Sequence, residues 1–158
     1  VLTGASAGIG AALAKMLTDD GHAVSAVARR KQRLAAIENS TDLFCGYATD
    51  VRDADAIAAA VASSHDTFGP VDVAILNAGI YVPQDGKHIE PGVYADHMNI
   101  NYMGRGECIG GCGAKNARRR SRPYYPDIVG CRMARPAQGG GLRPHQSGAD
   151  LTCRVAVF

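Results

Sequence analysis

A chain of 158 residues, 46% hydrophobic and 20% charged, suits one soluble globular domain, and no apolar run approaches the roughly 18 residues that a membrane-crossing helix needs. The formal charge of +2 conceals a division, because residues 1–104 carry 7 Lys and Arg against 12 Asp and Glu while residues 105–158 carry 10 against 3. Cys45 stands alone in the first stretch and four cysteines follow in the second; an odd total without a secretory signal argues against a disulfide framework.

No basic-then-apolar leader precedes Val1 and the chain opens inside a strand-like run, so the expectations are a start upstream and a cytoplasmic location. Val1-Leu2 before Thr3-Gly4 reads as a buried strand ending in a turn, and Ile9, Leu13, Met16 and Leu17 then recur at helical spacing. Gly21 predicts the helix end, and the apolar run Ala23–Ala28 predicts a parallel strand buried on both faces. A helix over Arg30–Ile37, a strand over Leu43–Ala48 and a helix striped by Ala56, Ile57, Ala60 and Val61 continue the alternation. Val71–Leu76 is another continuous apolar run, entered through Gly69-Pro70 and left through Asn77-Ala78-Gly79. Strands alternating with helices predict an α/β fold with a doubly wound parallel sheet. Pro91 can open a further helix through Tyr94, Met98 and Asn101. From Arg105 onward glycine, proline and arginine recur without a period of 2 or 3.6. The expectation is a sheet truncated after about four strands, a domain over residues 1–104, and an irregular, disordered basic tail over residues 105–158.

The stretch Thr3-Gly4-Ala5-Ser6-Ala7-Gly8-Ile9-Gly10 places three glycines where a strand turns into a helix. Backbone N–H groups and the positive helix end can there meet a pyrophosphate, so Gly4, Ser6, Gly8, Ile9 and Gly10 are candidate cofactor-binding residues. Gly4 suits the turn, Gly8 lets phosphates approach the backbone, and Gly10 lets the helix sit close to the sheet. This spacing resembles the T-G-x-x-x-G-x-G loop of the short-chain dehydrogenase/reductase family. Asn77-Ala78-Gly79 resembles that family's N-A-G motif, Asn101-Tyr102-Met103-Gly104 its N-x-x-G segment, and Asp50-Val51 its acidic position beside the adenine. The resemblance covers residues 1 to about 104. It implies a Rossmann-type sheet, a nicotinamide dinucleotide, a small carbonyl or alcohol substrate, and a role for Asn101 in holding a water of the proton relay. Family members are commonly homo-oligomers.

The end of the second predicted strand bears on the cofactor. NAD-preferring members carry an acidic residue there for the ribose 2′-hydroxyl, whereas this chain reads Ala28-Arg29-Arg30-Lys31. Guanidinium groups match a 2′-phosphate, so NADP(H) is the expected cofactor, with Arg29 favoured and Arg30 in support; NAD(H) is the lesser expectation. His22, His65, His88 and His97 stand singly and read as surface residues, and Cys45 reads as core.

The resemblance also implies a catalytic Ser and a Tyr-x-x-x-Lys pair, and neither is identifiable: Tyr94 meets Met98 four places on, Tyr102 meets Gly106, Tyr124 meets Ile128 and Tyr125 meets Val129. Codons for Tyr124–Gly130 read one base later permit Ile-Thr-Leu-Ile-Ser-Ser, and those for Gly141–Ser147 permit Ala-Tyr-Gly-Pro-Thr-Lys, which supply the missing residues at the family's separation. Residues from about Arg105 to Phe158 accordingly read as a frameshifted translation. The alternative function is a catalytically inactive nucleotide-binding fragment. Two readings of the tail from other classes are a nucleic-acid-binding arm at Arg118-Arg119-Arg120-Ser121-Arg122 and a zinc site at Cys108, Cys112, Cys131 and His145. Neither is expected, because no recognition motif accompanies the arginines and the cysteine spacings fit no familiar zinc pattern.

Overall fold

The computed structural model describes residues 1–85, 87–117, 127–129 and 154–157. In chain order the elements are β1 (Leu2–Thr3), α1 (Gly8–Asp19), β2 (Val24–Ala28), α2 (Lys31–Glu38), β3 (Phe44–Ala48), α3 (Ala54–Phe68), β4 (Val73–Leu76), α4 (Pro91–Met98), a π-helical turn (Asn99–Met103), α5 (Gly104–Ala117), β5 (Asp127–Val129) and β6 (Arg154–Val157). The strands pair in parallel in the order β3-β2-β1-β4-β6-β5. The chain winds outward from β1 to β3 and then returns to place β4 on the other side of β1. That reversal leaves a crevice at the carboxyl ends of β1 and β4, where open α/β sheets bind ligands.

Strand β2 explains how a short apolar run supports two layers. All five of its residues are buried. Val24, Ala26 and Ala28 join Leu2, Ala5, Ala14, Leu34 and Phe44 beneath α1 and α2. Val27 instead joins Ile57, Val61, Ala74, Leu76 and Ile100 beneath α3 and α5. The hydrophobic effect thus fixes the strand from both sides, and alternate residues serve the two cores. Asp53 caps α3 by accepting the Ala56 N–H at 3.0 Å.

The helical spacing in α1 identified the helix, yet its inner face is made of other residues. Gly10, Ala14 and Thr18 are buried. Ile9 and Met16 are 72% and 61% exposed, and Leu13 and Leu17 are half-buried. Small residues let the helix lie close against the sheet, which turns some of the larger ones outward. Helix α4 begins at Pro91 as expected, but none of its residues is buried, and Tyr94 and Met98 point outward. Asn101 falls in the π-helical turn that follows it.

The expectation of irregular structure from residue 105 onward is corrected for the residues of α5. Helical structure continues past the boundary at residue 104 as α5, with Gly104, Cys108 and Cys112 at successive i+4 steps all buried. A β-carbon on Gly104 would come within 2.9 Å of Val51 Cγ2, so glycine is what lets the start of α5 lie against the loop after β3, while one on Gly111 would make an ordinary contact of 3.6 Å with Ile57 and Val61 of α3. Tertiary packing here overrides the poor helix propensity of a glycine-rich sequence. The expected four-strand parallel sheet is present, and at its edge the short strands β6 and β5 add on, β6 against β4 and β5 against β6. The arginine run Arg118–Arg120, Cys131, Cys153 and the segment Gly141–Ser147 lie outside the described residues.

Candidate cofactor site

The carboxyl ends of β1 to β4 converge on one cavity of 120 Å³ lined by Gly4, Ser6, Ala28, Arg29, Arg30, Asp50, Val51, Ala78 and Gly79, among others. Gly4 follows β1 at φ +75°, a left-handed conformation that side chains disfavour, and its N–H donates to the Val27 carbonyl at 2.8 Å. A β-carbon on Gly10 would sit 2.4 Å from the Gly4 carbonyl oxygen and from Asn77 Nδ2. The start of α1 is therefore in direct contact with the loop that precedes it.

This arrangement fits a diphosphate. The α1 N-cap residue, Ala7, makes no side-chain capping hydrogen bond, so no N-cap side chain accepts from the first N–H groups. Gly8, at φ +55°, would meet nothing within 4 Å of a β-carbon, which leaves the approach to the backbone open. Helix-end N–H groups and the helix dipole both favour an anion at this point. Ile9 stands exposed beside it.

Asn77 and its neighbours hold the loop in place. The Asn77 carboxamide donates to the carbonyls of Thr3 at 3.2 Å and Gly4 at 3.4 Å, and the Ala78 N–H donates to the buried Thr3 hydroxyl at 3.0 Å. The Asn-Ala-Gly motif thereby ties the end of β4 to the end of β1. Asn101 does the same one layer out. Its Oδ1 accepts the Ile80 N–H at 2.7 Å and its Nδ2 donates to the Ile80 carbonyl at 2.8 Å, while Gly79 is small enough to lie beside it. The structure thus uses the Asn101 side chain to fix the loop after β4. His97, read as a surface residue, is half-buried and grips the same loop: Nδ1 lies 2.6 Å from the Val93 carbonyl and Nε2 accepts the Val82 N–H at 3.0 Å.

Positive charge collects at the end of β2. Arg30 Nε donates to Ser6 Oγ at 3.2 Å, which joins the glycine loop to the arginine pair. Arg29 is exposed, with no hydrogen bond or ion pair to another described residue. On the facing side Arg52 forks onto both oxygens of Asp50, at 3.1 and 2.8 Å, and holds that carboxyl below its usual range, with Arg29 adding to the effect. Val51 is buried beneath Gly104, so its part here is to seat α5. The sequence-predicted residues after all four strands are thus brought together. Thr3, Arg52 and His97 were not foreseen; Thr3 precedes the first glycine of the loop, and the other two act through contacts across the fold.

Of the proposed zinc ligands, Cys108 and Cys112 are buried in the seam with α3, and the Cys108 thiol is pushed up to about 12 by burial. Among the described residues no three His, Cys, Asp or Glu side chains are grouped to hold a metal, and no helix is long and apolar enough to cross a membrane.

Comparison with known proteins agrees with this geometry. The chain is 34% identical over 108 residues to 3-dehydrosphinganine reductase TSC10B of Arabidopsis thaliana, a match covering 65% of this chain and 31% of that protein. It is 37% identical over 89 residues to a probable NADP-dependent dehydrogenase of Dichelobacter nodosus, covering 56% of this chain and 84% of the other. Among solved structures, the closed form of serine dehydrogenase complexed with NADP+ superposes with a TM-score of 0.73 at 23% identity, over 88% of this chain and 56% of that one, and so shares the fold. The chain spans about a third of the length of the first curated relatives. The sequence profile of the short chain dehydrogenase family matches residues 1–112, the stretch that builds β1 to β4 and the crevice; the chain belongs to that family.

Proposed function

We propose that this chain is the NADP(H)-binding unit of a cytoplasmic oxidoreductase that moves hydride between the nicotinamide and the carbonyl or alcohol carbon of a small molecule. The observation that carries this reading is the end of β2, where Arg29 and Arg30 line the cavity and Arg30 bonds Ser6 of the glycine loop. A ribose 2′-phosphate is a compact anion that a guanidinium meets with charge-assisted hydrogen bonds, and a plain 2′-hydroxyl gains little from the same groups. The relative from Dichelobacter nodosus, described as NADP-dependent, supports the same cofactor.

The chain's own residues bind and orient. The loop Ser6–Ile9 receives the diphosphate, Arg29 and Arg30 the 2′-phosphate, Asp50 the adenine side, and Asn77 and Asn101 keep the two loops at the crevice in register. When bound, the nicotinamide supplies or accepts the hydride. By the family resemblance Asn101 would hold a water of the proton relay; its carboxamide here bonds the Ile80 backbone. No Tyr in the sequence is followed by Lys four places on, so the proton-transfer pair belongs to the shifted reading frame, and this chain as written binds without turnover.

The test is a titration of NADPH and NADH into the wild type and the Arg29→Ala/Arg30→Ala variant. NADPH affinity is expected to fall at least about tenfold in the variant with NADH little changed; equal losses would refute the 2′-phosphate assignment. NADPH oxidation with a carbonyl substrate by the wild type would overturn the absence of turnover. Codons across Tyr102–Glu107 that exclude the shifted frame would remove the source of the missing pair.

A further inference from the structure

Cofactor preference in this site depends on more than the arginines at the end of β2. Asp50 lines the same cavity as Arg29 and Arg30, and a bare carboxylate there would act against an anionic ligand in two ways. Its charge would repel a 2′-phosphate, and it would draw Arg29, which has no other partner among the described residues, away from the ligand. Arg52 counters both by bonding the two carboxylate oxygens. Arg52 places Nε 3.1 Å from Asp50 Oδ1 and its NH2 group 2.8 Å from Oδ2, and its backbone N–H donates to Oδ1 at 3.0 Å. The third nitrogen of the fork lies 3.7 Å from Asp96 Oδ1 on α4, which draws the guanidinium from the opposite side. A two-pronged pair of this kind is geometrically specific in a way a lysine cannot reproduce.

We propose that Arg52 is a specificity-determining residue: by occupying both oxygens of Asp50 it offsets the cavity's carboxylate and leaves Arg29 and Arg30 to act together on an anion, so that a phosphorylated ribose is preferred over a plain one. This rests on the NADP(H) reading above. Arg52 acts through Asp50 and Arg29 and is a positioning residue.

The experiment compares the ratio of NADH to NADPH dissociation constants by calorimetric titration in the wild type, Arg52→Gln, Arg52→Lys, Asp50→Asn/Arg52→Gln and Arg29→Ala. A loss of packing would weaken both nucleotides together and leave the ratio unmoved. Arg52→Gln is expected to lower the ratio about three- to tenfold, the effect of uncovering one partly exposed carboxylate beside a dianion. Arg52→Lys should recover part of the loss, and Asp50→Asn/Arg52→Gln should return the ratio to near wild type, since the offending charge is gone. An unchanged ratio in Arg52→Gln, or an equal drop in the double variant, overturns the inference. If Arg29→Ala abolishes the preference while Arg52→Gln does not touch it, only this inference fails; if the wild type shows no preference, the cofactor reading fails and takes this with it. Adenosine 2′,5′-bisphosphate against 5′-AMP, titrated into the same variants, gives the same ratio without the nicotinamide half.

Discussion

Replacing Gly10 with Ala tests whether the first turn of α1 truly rests on the loop before it. The added methyl would sit 2.4 Å from the Gly4 carbonyl oxygen and from Asn77 Nδ2, and 2.9 Å from the Gly4 carbonyl carbon. Ordinary contacts lie near 3.5 Å, so helix and loop must part by about 1 Å. Two of those three neighbours are backbone, and the Asn77 side chain is held by the Thr3 and Gly4 carbonyls, so relief is costly. Overpacking of this kind costs roughly 1–3 kcal/mol, against about 1 kcal/mol gained from alanine's helix propensity. The net expectation is a loss of up to about 2 kcal/mol, with NADPH affinity lowered more than tenfold because the displaced N–H groups no longer converge. Gly106→Ala in α5 is the control: nothing lies within 4 Å of its β-carbon, so helix propensity acts alone and stability should rise by about 0.5–1 kcal/mol. Urea unfolding followed by circular dichroism, with NADPH titration of each variant, reads both effects. A Gly10→Ala protein as stable as wild type and binding NADPH equally well would refute the close contact.

Three further outcomes follow from the site and the core. Asn101→Ala removes both bonds to the Ile80 backbone and should cost about 1–3 kcal/mol while raising hydrogen exchange in the loop after β4; unchanged exchange would show that the loop is held elsewhere. His97→Ala releases the Val82 N–H, so faster hydrogen exchange at Val82 in the variant than in wild type is the expected readout, and equal exchange in the two would refute the clamp. Burial pushes the Tyr47 hydroxyl, which has Cys45 beside it, from 10.0 to about 12. Because the folded protein resists ionisation more than the unfolded chain, this contribution is complete below pH 10 and is lost as pH rises toward 12; Cys108 acts alike from pH 9 upward. Tyr47→Phe removes the ionisable hydroxyl and should flatten the alkaline loss, as read by urea midpoints from pH 8 to 11.5; an equally steep loss in the variant would refute the assignment.

The parts of this molecule legible in its sequence are those where backbone geometry restricts residue choice. Gly4, Gly8 and Gly10 stand where left-handed backbone or close approach leaves little alternative, and Asn77-Ala78-Gly79 stands where a strand end must reach a neighbouring loop. Arg29 and Arg30 were legible as charge at a strand end. What escaped was decided by packing between distant segments. The inner face of α1 is Gly10, Ala14 and Thr18 because closeness to the sheet outweighs side-chain size, a preference that a hydrophobic stripe does not encode. Helix α5 was hidden by its glycines, of which Gly104 is required by close contact with Val51. Arg52 meets Asp96 across 44 residues of sequence, and His97 meets Val82 across a loop, so neither pairing leaves a local pattern. The π-helical turn that sets Asn101 against Ile80 likewise has no signature in residue spacing.

In the proposed function the glycine loop and the arginine pair form one NADP(H) site. Titration of NADPH into isotopically labelled protein, followed by backbone amide resonances, tests it most directly. Saturable shifts are expected to be largest at Ser6, Gly8, Ile9, Arg29 and Arg30, with NADH reproducing those at the loop but not those at the arginines. Shifts confined to other parts of the sheet, or none at millimolar NADPH, would contradict it.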